Sequence, residues 1–172
     1  MSEHDRPSAV LGESAACLDI DDNAQLVEVS LELARQCSRY LDIVSRHLDP
    51  ALYDNDEFCD AVKSLALGNR HARIRLFIID SRPLVRRGHR LIDLAIRLPS
   101  FIHVRGPSPQ HREFNEAMLV ADRVGYVHRR FADRPEARAD FYDRRSSSAL
   151  IDRIDELWER GSPDPNFRRL HI

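Results

Sequence analysis

The segment "REFNEAMLVADRVGYVHRR", residues 112 to 130, carries the most distinctive spacing in the chain. Asn115 stands two positions before Ala117, and Asp122 ends the same apolar run. Alternating apolar and polar residues predict two strands around the turn Asp122-Arg123-Val124-Gly125. An amide and a carboxylate so spaced can orient a ligand, but Asn115 cannot take up a phosphoryl group or carry a proton near neutral pH. Ala117 offers neither charge nor hydrogen bond. Two further carboxylates, Asp42 and Asp80, lie in or at the end of predicted strands and are expected to meet Asp122 at the carboxyl edge of the sheet. Such a cluster can hold a cation or arginines, although a strand-end Asp more often caps a helix or pairs with a base.

A second set is basic. Arg82, Arg86, Arg87, His89 and Arg90 enter a helix just after a strand, where open α/β sheets bind ligands and helix starts favour anions. They can hold a phosphate, a nucleotide or a nucleic-acid backbone. The competing reading is a solvated helix face, partly neutralised by Asp93 and the acidic N-terminus, and that is the commoner use of such a face. The eight histidines show no His-x-x-x-His spacing, and Cys17, Cys37 and Cys59 make no pair, so neither a metal site nor a disulfide framework is expected. Ser146, Ser147 and Ser148 lack a glycine elbow and read as helix caps; Trp158 reads as packing between the last helix and the tail.

The elements that must position these residues follow from periodicity. A helix through "AQLVEVSLELARQCS" has Val27, Leu31 and Ala34 on its apolar face, with Leu26 and Leu33 beside them. "RYLDIVS" is a strand, "RHLDPALYDN" a connection, and "DEFCDAVKSLALGN" a helix stopped by Gly68. "ARIRLFIID" is a strand, "PLVRRGHRLIDLAIRL" one helix begun by Pro83, and "SFIHVR" a strand before the quoted hairpin. "ADRPEARADFYDRR" reads as a polar linker. A last helix, capped by one of Ser146 to Ser148, carries Leu150, Ile151, Ile154, Leu157 and Trp158 and stops at Gly161. Phe167, Leu170 and Ile172 mark a docked tail. Strands alternating with helices imply right-handed crossovers. The expected fold is three-layer α/β: a mostly parallel mixed sheet of about five strands ending in an antiparallel hairpin, with helices on both faces. Residues 1 to 22 are read as a disordered acidic tail and 23 to 172 as the domain.

The bulk numbers fit that picture. A chain of 172 residues, 42% hydrophobic and 31% charged, buries roughly 70% of its unfolded surface without metals or disulfides. It has no apolar run long enough to span a bilayer, and its N-terminus opens with acids rather than a basic signal region, so a cytoplasmic protein that does not enter the membrane is expected. Residues 70 to 105 hold nine arginines against Asp80 and Asp93, whereas residues 1 to 22 hold six acids against Arg6. Lys63 is the one lysine, so the preference for Arg is chain-wide. A pI of about 6.4 and the lack of interleaved aromatics weigh against a nucleic-acid partner.

The hairpin resembles the phospholipase D superfamily, whose signature is His-x-Lys-x-x-x-x-Asp on a strand ending in a turn. In that family His is the nucleophile, Lys holds the phosphate and Asp supports the site. Counted back from Asp122, the Lys position is Ala117 and the His position is Asn115, so one of the three residues remains. The order of elements is similar to one half of a phospholipase D fold, and the resemblance implies a degenerate site with no catalytic residue. Catalytic members bring two motifs together; this chain holds one, which implies a homodimer if the motifs pair. Across residues 24 to 172 the phrases "LDPALYDNDEF", "ARIRLFIIDSRPLVRRGHRLIDLAIRLPSFIHVR", "FNEAMLVADRVGYVHR" and "LWERGSPDPNFRRL" resemble an uncharacterised bacterial domain often found behind a GNAT-type N-acetyltransferase. That resemblance implies an accessory module. No Gly-rich pyrophosphate loop occurs, because all six glycines stand alone. The expected role is binding, without a cofactor, of a protein such as a GNAT-type acetyltransferase or of a small phosphate-containing ligand. The alternative is an enzyme or enzyme subunit linked to acetyltransferase or phosphodiesterase activity.

Overall fold

The computed structural model describes residues 9–168. Its elements in chain order are β1 (Leu18–Ile20), α1 (Asn23–Gln36), β2 (Tyr40–Ser45), α2 (Pro50–Tyr53), α3 (Asp56–Gly68), β3 (Arg73–Ile78), α4 (Arg82–Arg87) and α5 (Arg90–Arg97). There follow β4 (Ile102–Gly106), β5 (Ala117–Ala121), β6 (Gly125–Arg129), β7 (Ala137–Asp140), α6 (Arg144–Arg160), β8 (Ser162–Pro163) and α7 (Pro165–Arg168). The strands form one mixed sheet in the order β1-β7-β6-β5-β2-β3-β4-β8. β2, β3 and β4 are parallel and joined by helical crossovers, whereas β5, β6, β7 and β1 add on antiparallel.

Both faces are covered because the central strands alternate between two apolar layers. Leu41, Ile43, Ile74, Leu76 and Leu119 face α1, α3 and α5, where they meet Leu33, Phe58, Val62 and Leu91. Val44, Phe77, Met118 and Val120 face α6, where they meet Leu150, Ile154, Leu157 and Trp158. The first layer is centred on Val29 and Leu33 of α1; Val27 and Leu31, placed on the apolar face by periodicity, are only half-buried.

The architecture is the expected three-layer α/β fold, but the sheet has eight strands rather than about five. The additional three are short and lie in polar or flanking sequence. β7 occupies the segment read as a linker. β8 lies in the tail and pairs through two residues with β4. β1 lies within the stretch read as a disordered tail, pairing Leu18, Asp19 and Ile20 with β7. Residues before β1 are also fixed: Leu11 N–H donates to Gln36, Gly12 N–H to Phe141 O, and Ala16 N–H to Asp140. Leu11 lies so close to Gly125 that a Cβ there would sit 2.5 Å from its Cδ1. Residues 1 to 8 of the expected tail, and Leu170 and Ile172 of the expected docking tail, lie outside the described residues.

Two helices depart from expectation. The helix predicted over 83 to 98 is split into α4 and α5 at Gly88, whose φ of 72 no helix accommodates. The last helix starts earlier than the serines, because Asp143 is its cap and accepts from Ser146 N–H.

Candidate functional site

β5 runs antiparallel to β2, with Leu41 opposite Ala121 and Val44 opposite Met118. The two ends of the quoted segment therefore lie at opposite ends of the sheet. Asn115 stands beside the carboxyl ends of the parallel strands, and Asp122 stands beside their amino ends. The expected meeting of Asp42, Asp80 and Asp122 does not occur, because strand direction separates them.

Asp122 is a structural clasp. It and Arg123 adopt positive φ of 51 and 59 at the hairpin tip. Its carboxylate accepts from the N–H groups of Ser38, Arg39 and Tyr40 at 2.8 to 3.0 Å, and from the Ser38 hydroxyl and Cys37 thiol. Burial works against its charge, but the N–H groups of Ser38, Tyr40 and Arg39 outweigh that and hold the carboxyl below its ordinary range. Burial, with the Asp122 charge behind it, pushes the Cys37 thiol up, so this cysteine is an inert donor.

Asp42 lies within β2 on the α6 face. It accepts from Arg75 Nε at 2.5 Å across the parallel pair, and Arg75 reaches Asp155 of α6 at 2.8 Å. Burial raises Asp42 against the opposing pull of Arg75, whose own charge is sustained by the two carboxylates. Arg75 and Arg105 both lie against the Trp158 ring, at 5.5 and 4.8 Å. This group ties α6 to the sheet.

At the carboxyl ends, Asp80 closes β3 and takes both Arg82 Nε and Nη2, at 2.8 and 2.9 Å. The pair pulls Asp80 down to about 2. Arg86 and Arg87 are exposed on α4, and Arg90 faces Asp56 at 3.8 Å. His89 is buried: Nε2 donates to Leu48 O at 2.9 Å while Nδ1 accepts from Leu91 N–H, capping α5. Burial lowers its pKa, and with both ring nitrogens engaged it is unavailable to a phosphate. The basic segment thus does not converge on one point.

The arginine opposite the packed motif position is already engaged. Ala117 is 3% exposed and directly opposite Arg129 of β6. Arg129 stands nearest the position of a phosphate-holding cation. It is buried, bonded to Asp49 and to Ala132 O at 3.0 Å, and also donates to Arg134 O. The Asn115 side chain is exposed without a partner among the described residues. The histidine that β6 supplies, His128, faces the opposite side of the sheet, on the α6 face. It meets Glu116 at 2.8 Å, and Glu116 also pairs with Arg153. At the end of β2, His47 turns its Nδ1 toward Asp80, 3.8 Å from Oδ2. Among the described residues no group of three His, Cys, Asp or Glu side chains could hold a metal ion, and no helix is long and apolar enough to cross a membrane.

None of the three motif positions lines any of five clefts on the surface. The roomiest of these, about 840 Å³, lies beyond α6 on the α6 face of β6, β7 and β1. The sequence reading missed it because the linker assignment hid β7. The alternation Tyr126, His128, Arg130 along one strand face was the available signal.

These features describe a three-layer α/β domain whose fold is similar to that of solved phospholipase D family members. Nuc from Salmonella typhimurium, a phospholipase D family member, is similar with a TM-score of 0.61 at 12% identity, over 87% of this chain and 97% of Nuc. NucT from Helicobacter pylori is similar with a TM-score of 0.60 at 9% identity, over 87% of this chain and 98% of NucT. TrmBL2, an archaeal chromatin protein with a novel mode of DNA binding, gives 0.60 at 14% identity over 88% of this chain. The match spans 54% of TrmBL2, about half of its length. At these identities the likeness is one of fold. By sequence, the chain belongs to the DUF7931 family, a domain of unknown function, whose model matches residues 22–170. No curated protein matches it.

Proposed function

We propose that this chain is a catalytically silent phospholipase D-like module that acts by binding a protein partner or an anionic ligand. The observation that carries the reading is the state of the motif strand. Its nucleophile position is Asn115, its cation position is the packed Ala117, and the arginine opposite Ala117, Arg129, is held by Asp49 and backbone carbonyls. At these two positions a phosphoryl group meets neither the family's histidine nor its lysine, and the arginine opposite Ala117 is already engaged. The resemblance to a domain found behind GNAT-type acetyltransferases supports such an enzyme as the protein partner. TrmBL2 supports keeping DNA among the anions to be tested, against the near-neutral pI. The test is turnover of bis(p-nitrophenyl) phosphate and plasmid DNA by pure wild type and by Asn115→His with Ala117→Lys. Neither protein turns over either substrate; sustained hydrolysis by wild type ends the reading.

One observation favours an enzyme instead. His47 lies at the strand ends with a carboxylate, Asp80, on its Nδ1 side, an arrangement that orients an imidazole for nucleophilic or acid–base work. On that reading wild type hydrolyses a phosphodiester and His47→Asn abolishes it.

A further inference from the structure

α6 packs on β5 and β6, and beyond it Arg138 of β7 and Asp19 of β1 are exposed on the same face. This flank is the wall of the 840 Å³ cleft, whose size lies within the range of sites for small organic ligands. Its floor is apolar and aromatic: Tyr126, Ala149 and Leu150, with Ser146 beside them. Its rim carries Arg130, Arg134 and Arg138 against Asp19 and Glu136, an excess of positive charge suited to one anionic group. Arg130 is exposed and has no carboxylate partner among the described residues. Arg138 faces Asp19 only across 3.6 Å, with both side chains largely in water, a contact that an incoming anion can replace. Phe131, 52% exposed, projects at the rim with the Arg134 guanidinium 5.1 Å above its ring.

An exposed ring beside exposed guanidinium groups, over an apolar floor, meets the two halves of one kind of ligand: a flat aromatic base and a phosphate attached to it. We infer that this cleft binds a nucleotide, the base against Phe131 and the floor, the phosphate between Arg130 and Arg138. The site is on the far side of the sheet from Ala117 and uses none of the motif positions. It rests on the reading of the chain as a binding module, and names the ligand class and the place.

Calorimetric titration of the full chain with AMP, adenosine and inorganic phosphate separates the two halves. AMP binds, and adenosine and phosphate each bind at least about tenfold more weakly. Arg130→Ala and Arg138→Ala each weaken AMP about tenfold. Phe131→Ala weakens AMP and leaves phosphate unchanged. All three side chains are exposed, so their loss leaves the fold intact, and Arg86→Ala with Arg87→Ala on α4 is the matched control that leaves AMP binding unaltered. No heat with AMP up to about 10 mM, undiminished binding in Arg130→Ala and Arg138→Ala, or loss in the α4 control each overturns the inference. These outcomes are independent of phosphodiester turnover, so the two readings fail separately.

Discussion

At its far end β5 delivers Asp122 to five donors from the α1–β2 connection and the first residue of β2, whereas at its near end it leads in from Asn115, whose side chain meets none among the described residues. The two positions belong to one three-residue pattern yet stand under different physical demands. A carboxylate that gathers backbone N–H groups holds a loop to a hairpin, and its removal leaves those donors unpaired. An exposed side chain holding nothing is free to change. On the proposed reading, the acidic member of the pattern serves as architecture where the other two positions hold Asn and Ala.

The largest test falls on the far end. Asp122→Ala should cost about 2–3 kcal/mol by urea unfolding at pH 7, and a cost near zero removes the contrast. Asp122→Asn should forfeit the acid limb of the stability curve. A carboxyl held below its ordinary value contributes fully above pH about 4 and is lost as pH falls through the folded-state value.

An intermediate effect is expected at His89. Its folded-state value is depressed, so the unfolded chain takes up the proton first. Its contribution is complete above pH about 6.5 and declines as pH falls toward the folded-state value. His89→Asn, which retains a capping acceptor, should flatten the slope between pH 7.5 and 5.5; an unchanged slope means the buried imidazole is not the sensor. The smallest effect belongs to the near end, where Asn115→Ala should shift stability by less than about 0.5 kcal/mol. A large loss there would show that Asn115 has a structural duty of its own.

The central fold was legible because burial imposes period. β2, β3, β4 and the hairpin appear within a residue or two of where alternation places them, as do α1 and α3. The short strands were not. β1 and β7 pair through three residues each with their common boundary, exposing Asp19 and Arg138, and so carry no apolar signature. The split of α4 from α5 turns on the backbone of one glycine. Spacing pointed to Asn115 and Ala117 where the resembled pattern has His and Lys, but the fate of Asp122, Asp42 and His89 depends on strand direction and on partners 33 to 85 residues away. Arg129 could not be singled out among so many arginines, because what distinguishes it is that Asp49 and two carbonyls already hold it.

The lone indole of the chain has a further use. Trp158 lies 6% exposed where α6 meets the sheet, in contact with two guanidinium groups. Its emission is therefore a built-in optical probe of whether that helix is seated, readable without a label beside the circular dichroism of the whole chain.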